Sequence, residues 1–121
     1  MGKKSPYQIV LSGRVITKKN NRRNYGHISL PSEAFVAFQN EALYQLKPLP
    51  DEPLFTDPVK ISLFFELKGK LDSDIDNLET SVFDVLQEAR ILKDDKLVWD
   101  VVKSKRGGFK DFKTLIVIEQ L

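Results

Sequence analysis

The sequence predicts a single α+β domain in which two helices pack on a four-stranded mixed sheet. Three observations support this fold, whose elements follow the order β-α-β-α-β-β. Apolar and polar residues alternate over residues 59–67, apolar residues recur at helical spacing in two stretches, and two β-rich runs close the chain. The 121 residues suit one domain, residues 1–121, with one core beneath the sheet.

The first half of the chain contains a short strand, a long basic loop and a helix. Residues 7–11 are β-like, whereas residues 13–31 have little periodicity and are predicted to form a basic DNA-binding loop. Ser32 is a candidate N-cap for the helix that follows. This helix carries an apolar stripe that predicts its packing face: Phe35, Phe38, Ala42 and Leu46.

The second half contains the alternating strand, the second helix and two final β-runs. Phe64 is the one apolar residue on the polar face of the strand. The second helix follows the acidic corner DSDIDN, residues 72–77, and its predicted buried stripe is Leu78, Val82, Val85, Leu86 and Ala89. The final runs are residues 97–105 and 112–119, and the Gly107–Gly108 pair between them predicts a hairpin.

Composition excludes several classes of site. The chain has no cysteine and one histidine, which excludes a disulfide framework, Cys-ligated zinc and thiol catalysis, and argues against a His-rich metal site. The first residues lack an apolar signal core, and no apolar run approaches transmembrane length. We therefore expect a cytoplasmic location, and neither a membrane nor a nucleotide cofactor as a partner.

The net charge of +2 conceals a strong asymmetry along the chain. Residues 1–32 carry seven basic and no acidic side chains, residues 33–102 carry seven basic and fifteen acidic ones, and residues 103–121 carry five basic and two acidic ones. A basic N-terminal segment next to an acidic middle of the chain indicates a polyanionic partner and a local carboxylate site. Solvated basic termini are the alternative explanation.

The acidic corner contains more carboxylates than a helix start requires. Asp76 with Glu79 resembles a capping box, and acids in a first turn suit the helix dipole. This does not account for Asp72, Asp74 and Asp76 together, because like carboxylates repel one another and a cation relieves the repulsion. In an extended segment Asp74 and Asp76 project to one side and share one ion. Oxygen ligands without His or Cys favour magnesium or manganese over zinc.

A second acidic pair, Asp94–Asp95, follows the predicted second helix. Taken alone, it is typical of a helix-ending turn. Together the two clusters supply the three or four carboxylates of a metal-dependent phosphoryl-transfer site, at which metal lowers the pKa of a bound water and stabilises the leaving oxygen. The sequence thus indicates a metal-dependent nuclease.

The stretch DIDNLETSVFDVLQEARILKDDKLV, residues 74–98, resembles the signature of the RusA family of Holliday junction resolvases. The family pattern runs D-x-D-N-L, then a helix with a D-x-L element, then D-D-x-x-V. The residues that match it in order and spacing are Asp74, Asp76, Asn77, Leu78, Asp84, Leu86, Asp94, Asp95 and Val98. Lys105 falls where the family has a basic residue on the next strand.

The resemblance implies a homodimeric, magnesium-dependent endonuclease, typically phage-borne, that resolves four-way (Holliday) DNA junctions by symmetric paired nicks in recombination and repair. It assigns catalysis and metal binding to Asp74, Asp76 and Asp95, with Asn77 and Asp94 supporting them. Mg²⁺ is the expected cofactor and Mn²⁺ the alternative. The residues expected to bind the branched DNA are Lys18, Lys19, Asn20, Asn21, Arg22, Arg23, Lys70 and Lys105.

One residue departs from the family pattern. Thr80 stands where the family usually has a lysine that helps to position or neutralise the phosphate. Lys70, Lys93 and Lys105 are candidate substitutes. The alternative is a branched-DNA-binding protein of the same fold with weak or lost cleavage, and a further one is a nuclease acting on other branched or flapped DNA.

The two acidic clusters flank the second helix. About sixteen helical residues between Asp76 and Asp95 would separate them by about 24 Å. They meet within one chain only if the helix is shorter or if residues 93–96 fold back along it. The other solution is a dimer in which antiparallel second helices bring Asp95 of one protomer to Asp74 and Asp76 of its partner.

Overall fold

The computed structural model describes residues 5–17, 22–25 and 28–121, and it gives only the backbone for 22–25 and 28–31. The four-stranded sheet and its helices follow the predicted order β-α-β-α-β-β, which confirms the fold class. The elements are β1 (Tyr7–Ser12), β2 (Arg22–Tyr25), β3 (Ile28–Pro31), α1 (Glu33–Gln45), β4 (Val59–Lys68), α2 (Ile75–Glu88), a short 3₁₀ helix (Asp95–Leu97), β5 (Val98–Phe109) and β6 (Lys113–Gln120).

The main sheet has the strand order β1-β6-β4-β5. The β4 and β5 strands are parallel, whereas β6 is antiparallel to both of its neighbours, so the sheet is mixed as predicted. The predicted hairpin between the last two strands is wrong, because β4 lies between β5 and β6. Parallel β4 and β5 require a crossover, and α2 supplies it.

The Gly107–Gly108 pair lies near the end of β5 and does not form a hairpin turn. Gly108 has a φ of 86°, and its N–H donates to the carbonyl of Gly69 at 2.8 Å. A Cβ at Gly107 would lie 3.3 Å from that same carbonyl oxygen. Small residues are therefore needed where the end of β5 approaches the turn that follows β4.

The segment 13–31 is not wholly a loop. Residues Arg22–Tyr25 and Ile28–Pro31 pair as an antiparallel two-stranded sheet, which the weak periodicity of this polar stretch did not predict. The proposed DNA contacts of Lys18, Lys19, Asn20 and Asn21 lie outside the described residues. For Arg22 and Arg23 the description is limited to the backbone.

The core lies between one face of the sheet and the two helices. Alternate residues of β4 are buried there as predicted, whereas Phe64 on the opposite face is 38% exposed. The predicted stripe of α2, Leu78, Val82, Val85, Leu86 and Ala89, is fully buried. Ser32 caps α1 by accepting from the Phe35 N–H at 3.1 Å. Within the described parts of the chain, no helix is long and apolar enough to cross a membrane.

Candidate active site

The acidic corner follows the carboxyl end of β4, inside the β4–α2–β5 crossover. Because β4 and β5 are parallel neighbours, the corner lies at the same edge of the sheet as the second half of β5. Open sheets with parallel strands commonly bind ligands at this edge, where the connections leave the strands. The crossover thus places the start of α2 beside side chains of β5.

Asp74 is the N-cap of α2. Its Oδ1 accepts from the N–H groups of Asp76 at 2.8 Å and Asn77 at 3.3 Å. The capping box expected from Asp76 and Glu79 is therefore wrong, since the cap is two residues earlier and Glu79 contacts Lys103 instead. Asp76 lies in the first helical turn, so Asp74 and Asp76 are not two residues of one extended segment. They remain neighbours through the capping bond.

Asp76 forms an ion pair with Lys103 of β5. The Lys103 Nζ donates to Asp76 Oδ1 at 2.5 Å and to Glu79 Oε1 at 3.2 Å. The Lys103 contact lowers the pKa of Asp76 below its ordinary value of 3.8. In return, the hydrogen bond to Asp76 raises the pKa of Lys103 above 10.5. Asp76 is consequently held ionised, in the form that binds a cation.

Asp72 is paired with Lys105, the other lysine on this face of β5. The Lys105 Nζ donates to Asp72 Oδ1 at 2.7 Å and to the Ser73 carbonyl at 2.8 Å. These contacts, with the Ser73 N–H bond to the carboxylate, lower the pKa of Asp72. Lys105 and Lys70 also line one open cleft beside the corner. Lys70 and Lys105, two of the lysines predicted to bind DNA, thus lie next to the acidic corner.

The second acidic pair lies at the opposite end of α2. Asp94 caps the short 3₁₀ helix by accepting from the Lys96 N–H at 2.8 Å, which lowers the pKa of Asp94. The Asp95 N–H donates to Gln87 Oε1 at 3.3 Å, which ties Asp95 to the last turn of α2. Gln87 follows Asp76 by eleven helical residues, or about 16 Å. The 93–96 segment therefore does not fold back to the start of the helix.

Carboxylates are suitable ligands for a hard divalent cation, but the three predicted ligands do not converge in the part of the chain that the structure describes. No group of three or more His, Cys, Asp or Glu side chains converges among the described residues. The Asp74 carboxylate contacts the backbone N–H of Asp76, and Asp95 lies at the far end of α2. The assignment of these three aspartates as ligands, and of Asn77 and Asp94 as supporting residues, stays a prediction.

Residues 14–17 directly precede the basic arm, residues 18–23, and lie beside the acidic corner. Residues 14–17 and Ser73 line a common cleft, and Val15 and Thr17 of this segment are buried. Ser73 directly precedes Asp74. The last residue described before Lys18 thus lies close to the start of α2.

Lys103 is the site residue that the sequence reasoning missed. The candidate substitutes for the family lysine were Lys70, Lys93 and Lys105, whereas the lysine in contact with Asp76 is Lys103. Strand periodicity could have identified Lys103, because Val101, Lys103 and Lys105 project to one side of β5. This side faces α2, since Lys103 lies opposite the buried Leu63 of β4.

Comparison with known proteins identifies the family. No curated protein sequence matches the chain. The model of the family described as endodeoxyribonuclease RusA matches residues 6–119, nearly the whole chain. Acidic groups that hold a metal and basic groups that bind phosphate are the parts a DNA-cleaving site requires. The chain therefore belongs to the RusA family of endodeoxyribonucleases.

Proposed function

We propose that this protein is a magnesium-dependent endonuclease that resolves four-way DNA junctions by symmetric paired nicks, with Mn²⁺ as the alternative metal. One observation carries the proposal within the nuclease family. Asp74 and Asp76 both lie at the start of α2, where the Asp74 carboxylate accepts from the Asp76 N–H, and two lysines of β5 lie in contact with the same corner. The carboxylates suit a metal ion, and the neighbouring ammonium groups suit the phosphodiester of DNA.

The proposed chemistry is hydrolysis of a phosphodiester by water. When bound, a divalent cation would supply a water of lowered pKa and would stabilise the departing oxygen. Asp74 and Asp76 would hold the cation through carboxylate oxygens, and the capping bond keeps Asp74 in place. The ammonium groups of Lys103 and Lys105 balance negative charge as a phosphate approaches.

The basic arm is proposed to bring the DNA backbone to this corner. The approach of residues 14–17 to Ser73 supports this proposal, because Lys18 follows Thr17 directly in the sequence. Lys70 and Lys105 line the cleft on the neighbouring side of the corner. The proposed phosphate contacts of the arm are Lys18, Lys19, Asn20, Asn21, Arg22 and Arg23.

We further propose that each site is completed by a second copy of the chain. Asp95 is tied to the last turn of α2, about 16 Å from Asp76, so it reaches the Asp74–Asp76 pair of its own chain only by rearrangement. In a two-fold dimer, a contact of one protomer with its partner is repeated in reverse. Asp95 would then bind metal at the acidic corner of the partner, and the dimer would have two equivalent sites, as paired nicks require.

The test is incubation of the protein with a synthetic four-way junction, with and without Mg²⁺. We expect paired nicks that require the metal, and Asp76→Asn should bind the junction as well or better and leave it uncut. Asp51→Asn is the charge-matched control, because Asp51 is exposed in the connection between α1 and β4. Binding without nicks by the parental protein would support the alternative, a branched-DNA-binding protein that has lost cleavage.

A further inference from the structure

Lys103 lies on the inward face of β5. It is opposite Leu63 of β4, which is fully buried, so the strand pairing directs Lys103 toward the helix side of the sheet. Its side chain is only 27% exposed. An inward-facing position of this kind usually takes an apolar residue, as Val101 does two residues earlier. A lysine here needs partners, and α2 provides them.

Both partners of Lys103 lie on one face of α2. Asp76 and Glu79 are three residues apart, which places their side chains on the same side of a helix. The Lys103 Nζ contacts Asp76 at 2.5 Å and the less exposed Glu79 at 3.2 Å. Glu79 can therefore hold the ammonium group while Asp76 turns its carboxylate to another cation.

No lysine or arginine of α2 provides this charge. The side chain one turn after Asp76 is Thr80, whose hydroxyl donates to the Asp76 carbonyl at 3.0 Å. Lys105 is bonded to Asp72 and the Ser73 carbonyl. Among the contacts described around Asp76, the cation that reaches its carboxylate is Lys103.

We propose that Lys103 is a phosphate-positioning residue of the active site: it places a positive charge beside the Asp76 carboxylate, where the scissile phosphate would bind. The inference rests on the proposed nuclease function. The same charge opposes a metal ion at Asp76. Removal of the charge should therefore strengthen metal binding and slow cleavage, whereas loss of a merely structural contact would weaken metal binding.

The test uses Lys103→Met, which keeps the apolar stem and removes the charge. At saturating Mg²⁺ we expect single-turnover cleavage of a four-way junction to fall at least tenfold, by analogy with loss of one electrostatic contact to a transition state. The Mn²⁺ concentration for half-saturation of the protein alone should fall by about threefold, as for removal of an exposed charge pair. Lys113→Met is the control, since Lys113 forms a wider pair with Glu66 at 3.9 Å on the opposite face.

A second variant tests whether the cleavage rate depends on a positive charge near Asp76 or only on the stability of the protein. Thr80 is four residues after Asp76, so a lysine there reaches the Asp76 carboxylate along the helix surface. Thr80→Lys in the Lys103→Met background should recover part of the cleavage rate. Parental cleavage by Lys103→Met, or a double variant no faster than Lys103→Met, would overturn the inference.

Failure of the nuclease proposal would look different. In that case the parental protein leaves the junction uncut, and the Mn²⁺ titration still decides the role of Lys103. Unchanged or weaker Mn²⁺ binding by Lys103→Met would overturn the inference whether or not the parental protein cuts DNA.

Discussion

Asp74 combines two roles that a pair of substitutions can separate. As the N-cap of α2 it accepts from two backbone N–H groups, and as a proposed ligand it supplies a negative charge. Asp74→Asn retains a side-chain oxygen for the cap, because Asn is as good an N-cap as Asp. Asp74→Ala removes both the cap and the charge. The first variant should therefore lose cleavage alone, and the second should lose cleavage and stability.

The expected loss of stability follows from the two capping bonds, at 2.8 Å and 3.3 Å. Removal of an N-cap costs about 1 kcal/mol of unfolding free energy. The entropy of unfolding is about 2.1 cal/mol/K per residue, so 1 kcal/mol lowers the Tm of a 121-residue domain by about 4 °C. Asp74→Asn should have the parental Tm or a slightly higher one, because it relieves repulsion with Asp76.

The assays are thermal unfolding followed by circular dichroism and junction cleavage in Mg²⁺. Ser32→Ala is the matched control, because it removes the N-cap of α1 and leaves the acidic corner intact. It should lower the Tm by a similar amount and cut at a rate close to the parental one. Parental cleavage by Asp74→Asn would refute the role of Asp74 as a ligand, and a parental Tm for Asp74→Ala would refute the capping argument.

Three further predictions concern the dimer, the arm and acid stability. Mixing inactive Asp76→Asn with inactive Asp95→Asn should restore one nick per junction if sites are shared between protomers, whereas inactive mixtures would show that each site belongs to one chain. A further variant neutralises four cations of the arm: Lys18, Lys19, Arg22 and Arg23. The slope of log DNA affinity against log salt concentration should become less negative by roughly 0.9 for each lost phosphate contact, and an unchanged slope would exclude the arm as a DNA-binding element. Because lysine contacts lower the pKa of Asp72 and Asp76, their stabilising effect is present above pH 3.8 and lost as the pH falls through the lowered values. The unfolding free energies of the parental protein and of Lys103→Met, from urea titrations, should therefore converge at low pH; a constant difference would contradict this.

Elements with one buried face could be predicted from the sequence. The alternation along β4 and the helical stripe of α2 reflect burial on one side, and both elements have the predicted type and buried residues. The N-cap of α1 was equally local, since Ser32 needs only its own first turn. Local physical chemistry thus determined most elements, with boundaries shifted by a few residues.

Features that depend on non-local pairing could not be predicted in this way. The Gly107–Gly108 pair has the composition of a hairpin, yet β4 lies between the strands on either side of it. The contact between Lys103 and Asp76 likewise depends on the parallel pairing of β4 with β5, which brings residues 27 positions apart together. The resemblance identified the acidic positions, and the three-dimensional fold identified the lysine that accompanies them.

Helix capping and the helix dipole account for some residues of the two acidic clusters but not for all of them. Asp74 and Asp76 lie at the N-terminal end of α2, where a helix dipole favours negative charge and where a cap is needed. Asp95 lies in the first turn of the short 3₁₀ helix, and the capping bond there belongs to Asp94. Capping therefore accounts for Asp74 and Asp94 and not for Asp95, whereas the proposed metal binding at a partner's corner would account for an acid at position 95.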